Sequence, residues 1–73
     1  MFNNVQIDLT QYDEINRREA MLTIRAGEEV VCRLIRTNMK PDILILSTME
    51  QLSQVITEEQ RGICDKIEFY KKK

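Results

Sequence analysis

The sequence predicts a small α/β or α+β domain in which two or three strands are packed by helices. Alternating apolar and polar residues mark a strand near the start, and an unbroken apolar run marks another near the middle. Cap residues and helical charge spacing fill the stretches between and after them. The chain has 73 residues, 42% hydrophobic and 32% charged, which suffices for one core and is too apolar for a disordered segment. Residues 1–73 therefore read as a single domain, with no repeat, linker or low-complexity stretch.

Asn4-Val-Gln-Ile-Asp-Leu9 puts Val5, Ile7 and Leu9 on one side and Asn4, Gln6 and Asp8 on the other, the pattern of a half-buried strand over 4–9. Thr10 stands as an N-cap, with Asp13 and Glu14 in the first turn of a helix that begins at Gln11. Asp13–Arg17 and Glu14–Arg18 are i,i+4 pairs with the acid leading, the better orientation. The end of this helix has two readings. It covers 11–26 and stops at Gly27, or it covers 11–20 and hands over to a short strand over 21–26, where Leu22, Ile24 and Ala26 alternate with Met21, Thr23 and Arg25.

Over 28–39, Val30, Val31, Cys32 and Ile35 suit a strand, but acids at the start, Arg33, Arg36 and Lys40 toward the end and Pro41 beyond favour a helix. Asp42-Ile-Leu-Ile-Leu-Ser47 reads as a strand over 42–47, buried on both faces by its unbroken apolar run. Ser47-Thr-Met-Glu50 has the form of a capping box and opens a helix over 48–56 that buries Met49, Leu52 and Val55 or Ile56. Thr57-Glu-Glu-Gln60 repeats the device and opens a last helix over 58–71, with Ile63, Ile67 and Tyr70 on its apolar side and Gly62 as a weak point. With a strand over 21–26, the order becomes a minimal βαβαβ unit with parallel strands. The stretch from Ala26-Gly-Glu-Glu-Val30 to Lys40-Pro-Asp-Ile-Leu-Ile-Leu46 resembles part of a response-regulator receiver domain. The phosphoryl-accepting aspartate which that resemblance implies would fall at Ser47.

Most kinds of chemistry lack their residues. The chain has no histidine, which excludes the Ser–His and Cys–His nucleophile arrangements. Gly27 and Gly62 stand alone, so no phosphate loop is expected. Glu28–Glu29 and Glu58–Glu59 are adjacent pairs that diverge on a helix and read as dipole complements. Cys32 and Cys64 are too far apart in sequence for a metal knuckle and read as two buried, reduced thiols, a disulfide being the reading for a secreted chain. No catalytic residue, metal or cofactor is expected. The longest apolar run, Ile43–Leu46, is far short of a membrane span, and no leader or lipidation signature is present, so the expected location is cytoplasmic.

A net charge of −1 picks no partner, and the opposite charges are interspersed, as on a solvated surface. What remains is a non-enzymatic interaction protein: a small regulator, adaptor or inhibitor that docks on a protein partner, a second copy of the chain being one such partner. Compact, motif-poor acidic chains of this kind suit a phage-like inhibitor. Four methionines fit an adaptable contact surface or a core. Candidate partner-binding residues are Arg17, Arg18, Arg25, Arg33 and Arg36, grouped on two adjacent antiparallel helices, with Phe69 and Tyr70 near the lysine tail. The alternative is a nucleic-acid-binding regulator that uses these arginines and Lys71–Lys73. Asp8, Thr10, Ser47 and Thr48 form a third candidate, a rim for a small anion if the strands over 4–9 and 42–47 are parallel neighbours.

Overall fold

The computed structural model describes residues 7–73. They form an α+β domain of four strands and two helices in the order β1 (Tyr12–Ile15), α1 (Arg17–Arg25), β2 (Val30–Ile35), β3 (Asp42–Leu46), α2 (Met49–Gln60) and β4 (Lys66–Lys72). Residues 4–6 of the expected first strand lie outside the described residues. Within them, Ile7 and Asp8 take no regular structure, and Leu9–Gln11 is a single 3-10 turn. Asp8, not Thr10, is its cap: the Asp8 carboxylate accepts from the Thr10 N–H at 3.0 Å and from the Thr10 hydroxyl at 2.6 Å.

The helix expected from Gln11 starts later, because Tyr12–Ile15 pairs with β4 instead. An i,i+4 ion pair contributes only about 0.2–0.5 kcal/mol, so Asp13 and Glu14 yield to a full strand pairing. Asn16 then supplies the cap, its side chain accepting from the Glu19 N–H at 2.8 Å. The helix ends as its longer reading anticipates. Gly27, at φ 86°, donates to Ile24 O at 2.9 Å and Glu28 donates to Thr23 O at 3.1 Å, a Schellman closure that needs left-handed backbone at the glycine. No strand forms over 21–26.

The helix expected over 28–39 is also overturned. Val30, Val31, Cys32 and Leu34 are 4% exposed or less, a density of burial on both faces that a central strand provides and a surface helix does not. Pro41 lies in the turn that follows, where Asn38 takes φ 62°. The Arg36 guanidinium holds Asp42 across the base of this hairpin. The strand over 42–47 is confirmed as Asp42–Leu46, with one correction. It is an edge strand: Leu44 and Leu46 are buried, while Ile45 is 39% exposed.

The capping box is real but sits one residue later than Ser47. Thr48 Oγ1 accepts from the Gln51 N–H at 3.2 Å, and Gln51 Oε1 accepts from the N–H groups of Thr48 and Ser47 at 3.2 and 2.7 Å. Thr57 starts no new helix. Its hydroxyl donates to Ser53 O at 2.8 Å within α2, which continues to Gln60. Gly62, at φ 77°, then stops α2 by a second Schellman closure, donating to Glu59 O while Ile63 donates to Glu58 O. Of the helix expected over 58–71, residues 58–60 end α2 and the rest is a turn and a strand, in which Ile67 and Phe69 alternate inward against Glu68 and Tyr70.

The strands order as β1-β4-β2-β3, each neighbouring pair antiparallel. Each helix thus connects two strands separated by a third: β4 lies between β1 and β2, and β2 between β3 and β4. The receiver-domain resemblance fails here, since that arrangement needs a helix before a parallel strand. Both helices cover one face of the sheet. Ala20 and Ile24 of α1 and Leu52 and Val55 of α2 meet Val30, Cys32 and Leu34 of β2, Leu44 and Leu46 of β3, and Ile67 and Phe69 of β4 in one core. The alternate residues Tyr12, Glu14, Val31, Arg33, Ile45, Glu68 and Tyr70 share the helix-free face through the strand register.

Candidate functional site

The fold separates the residues grouped in the sequence. Arg17, Arg18 and Arg25 lie on α1, over one face of the sheet, whereas Arg33 belongs to β2 and points to the other face. Arg36 follows β2 at the hairpin. The patch on two antiparallel helices is not formed, because residues 28–39 are not helical. Three of these cations also meet carboxylates within the chain: Arg17 holds Glu59, Arg33 reaches Glu68 at 3.5 Å, and Arg36 holds Asp42. Phe69 is 2% exposed and belongs to the core. Tyr70 lies on the helix-free face, where its hydroxyl donates to Glu68 at 2.9 Å. Burial, and then the Glu68 carboxylate, push its phenol pKa up. The anion rim does not assemble either. Thr48 caps α2, Asp8 caps the first turn, and β1 and β3 stand at opposite edges of the sheet.

Cys32 and Cys64 are free and buried, 0% and 3% exposed. Burial pushes the Cys32 thiol up to about 12, with Cys64 and Glu58 adding to it, and burial likewise raises Cys64. Both are held protonated, which makes them poor nucleophiles and good small hydrophobes. Stability at alkaline pH follows. Above the usual thiol value of 9.0 the unfolded chain loses the Cys32 proton while the folded chain keeps it up to about 12. Folding then weakens with rising pH by up to about 1.4 kcal/mol per unit for that thiol, and not at all below the unfolded pKa. Urea midpoints taken between about pH 8 and about pH 11 should fall less steeply for Cys32→Ala than for the native chain. Parallel declines would show that this thiol ionises freely in the fold.

Among the described residues, concave surfaces lie on two sides of α2. One, of about 700 Å³, runs between α2 and the β2–β3 hairpin and is lined by Arg36, Asp42, Glu50, Glu58 and Arg61 with Ile63 at its edge. Its charges are of both signs, and the Arg36–Asp42 pair is already closed. Glu58 Oε2 lies buried there with no hydrogen-bond partner among the described residues.

The other surface, of about 530 Å³, lies between the two helices. Met21 of α1 and Met49, Leu52 and Ile56 of α2 form its floor, and Arg17 and Arg18 its rim. Met21, Met49 and Ile56 are half-buried and rest against the core rather than inside it. They do so because Ala20 and Ile24, and Leu52 and Val55, are the positions that face the sheet, so residues one step round each helix are turned toward the seam. Among the described residues, no three His, Cys, Asp or Glu side chains converge where a metal ion could sit. Nor is any helix there long and apolar enough to cross a membrane.

The methionines and the apolar face of α2 were visible in the sequence. That α1 and α2 lie side by side was not, because their adjacency follows from the sheet order. Comparison with known proteins finds no matching family model, no matching curated protein and no matching solved structure.

Proposed function

We propose that the chain is a non-enzymatic interaction protein, a small regulator, adaptor or inhibitor, that docks a protein partner in the seam between α1 and α2. The observation that carries this reading is the seam itself: four apolar side chains from two helices line a groove of about 530 Å³. Two of the four are methionines, whose unbranched side chains adjust to the shape of an incoming surface at low cost. The exposed Leu22, 54% accessible on α1, adds apolar surface on the same helix.

The test is affinity capture of the tagged chain from the cells that encode it, with and without nuclease, beside two variants. Met21→Glu puts a carboxylate into the groove. Ile45→Glu puts one on the helix-free face and serves as the control. Circular dichroism first establishes that both fold. The native chain and Ile45→Glu should hold the same nuclease-resistant protein, and Met21→Glu should bind it about 30-fold more weakly or worse, as expected for a central anchor position. Capture that survives Met21→Glu, or collapses with nuclease, overturns the reading.

A further inference from the structure

We infer that the partner's docking segment is an amphipathic α-helix carrying carboxylates about two turns apart on the flank of its apolar stripe. The inference rests on the docking reading above and names its occupant. The groove is lined by two cations and no carboxylate. Of these, Arg17 is neutralised by Glu59; Arg18 makes no ion pair among the described residues. On the outer side of α1, Arg18, Leu22 and Arg25 stand at i, i+4 and i+7, one stripe of a helix, and all three are exposed. Arg25 is likewise unpaired among the described residues. The surface beside the groove is thus cation, apolar, cation, in line.

The spacing selects the shape of the occupant. Seven helical residues span about 10.5 Å, so carboxylates at i and i+7 of a helix laid along the seam meet Arg18 and Arg25 together. The apolar positions between them cover Met21 and Leu22. Side chains on one face of an extended strand repeat at roughly 6.6 Å, so they fall short at one repeat and overshoot at two. A second copy of this chain suits the face poorly. A two-fold contact sets a patch against itself, and here that brings arginine to arginine.

The experiment is selection from a displayed library of amphipathic helical peptides on three immobilised proteins: the native chain, Met21→Glu and the double variant Arg18→Glu/Arg25→Glu. Vesicles with and without phosphatidylserine are measured in parallel. Native selections should enrich Asp and Glu beside the apolar stripe, and those peptides should lose about tenfold or more in affinity for the double variant, which selects Lys and Arg instead. Peptides that need Met21 but show no charge preference, and bind the double variant equally, overturn the acidic-helix inference and leave the docking groove standing. Peptides indifferent to Met21→Glu overturn both. So does a library yielding no binder, whether or not phosphatidylserine vesicles bind.

Discussion

Replacing Leu34 by Ala should leave most of the chain unfolded under conditions where the native protein is folded. Leu34 is 0% exposed, lies in β2 at the middle of the sheet and sits in register with Ile67 of β4. Truncating a side chain so placed removes its transfer free energy and leaves a cavity, together about 2–5 kcal/mol. A single small core seldom supplies more than about 3–5 kcal/mol in total. The loss is therefore comparable to the whole stability of the domain. Urea denaturation followed by circular dichroism measures it, and thiol labelling gives a second reading, since Cys32 and Cys64 react only when the core opens. Leu22→Ala is the matched control: the same chemical change on an exposed helix position should cost no more than about 0.5 kcal/mol. A Leu34→Ala variant as stable as Leu22→Ala would remove the basis for placing residues 30–35 at the centre of the sheet.

The same residue shows where local reading of the sequence stopped. Of the caps and stops, Gly27 closes α1 as its spacing predicts, and a capping box opens α2, at Thr48 with Gln51 rather than Ser47 with Glu50. The caps expected at Thr10 and Thr57 and the helix stop at Pro41 do not form, and Asn16 caps α1 without having been singled out. The strand over 42–46 was legible from composition, and the burial of both cysteines from their isolation. The strands β2 and β4 were not. Residues 28–40 carry acids before bases, which imitates the charge order of a helix, and Thr57-Glu-Glu-Gln60 imitates a capping box ahead of β4. Those charges contribute tenths of a kcal/mol at a helix end, whereas burying Val30, Val31, Cys32 and Leu34 is worth roughly 1.5–3 kcal/mol for each large side chain. The larger quantity decides. The Ile67, Phe69 alternation is a strand signal present in the sequence, which the helical spacing of Ile63, Ile67 and Tyr70 masks.

The candidate site follows from the same competition. Once residues 30–35 form a strand and 36–41 the hairpin connection, Arg33 and Arg36 leave the helix layer, and the five cations divide between the two faces and the hairpin. What the helix layer keeps is α1 with Arg17, Arg18 and Arg25, set beside Met49, Leu52 and Ile56 of α2, whose Glu59 holds Arg17. A basic field broad enough for a nucleic-acid backbone needs cations that add over one surface. Here Glu59, Glu68 and Asp42 each hold one of them. Of the two α1 cations without a carboxylate among the described residues, Arg18 lines the apolar groove and Arg25 follows it on the exposed side of the same helix, an arrangement suited to a protein surface of opposite charge.

Phe69 and Tyr70 give the sharpest test of β4, because a strand separates neighbours that a helix would leave partly alike. Phe69 is 2% exposed and lies in register with Ile15 and Cys32 on the helix-covered face. Phe69→Ala should cost about 3–5 kcal/mol and approach complete unfolding. Tyr70 points the other way, half-buried opposite Glu14 and Val31, with its hydroxyl on Glu68. Tyr70→Ala removes one partly exposed hydrogen bond and some cover from Val31, so about 1 kcal/mol is the expected loss. Denaturation midpoints of the two variants, measured side by side, should differ severalfold in their distance from the native value. On a helix over 58–71 Tyr70 would be an apolar-face residue and Phe69 an outer one, and the order of the two losses would reverse. Tyr70→Ala bears on function as well. It changes the face opposite the α1–α2 seam, so a folded Tyr70→Ala chain should retain its partner where Met21→Glu loses it.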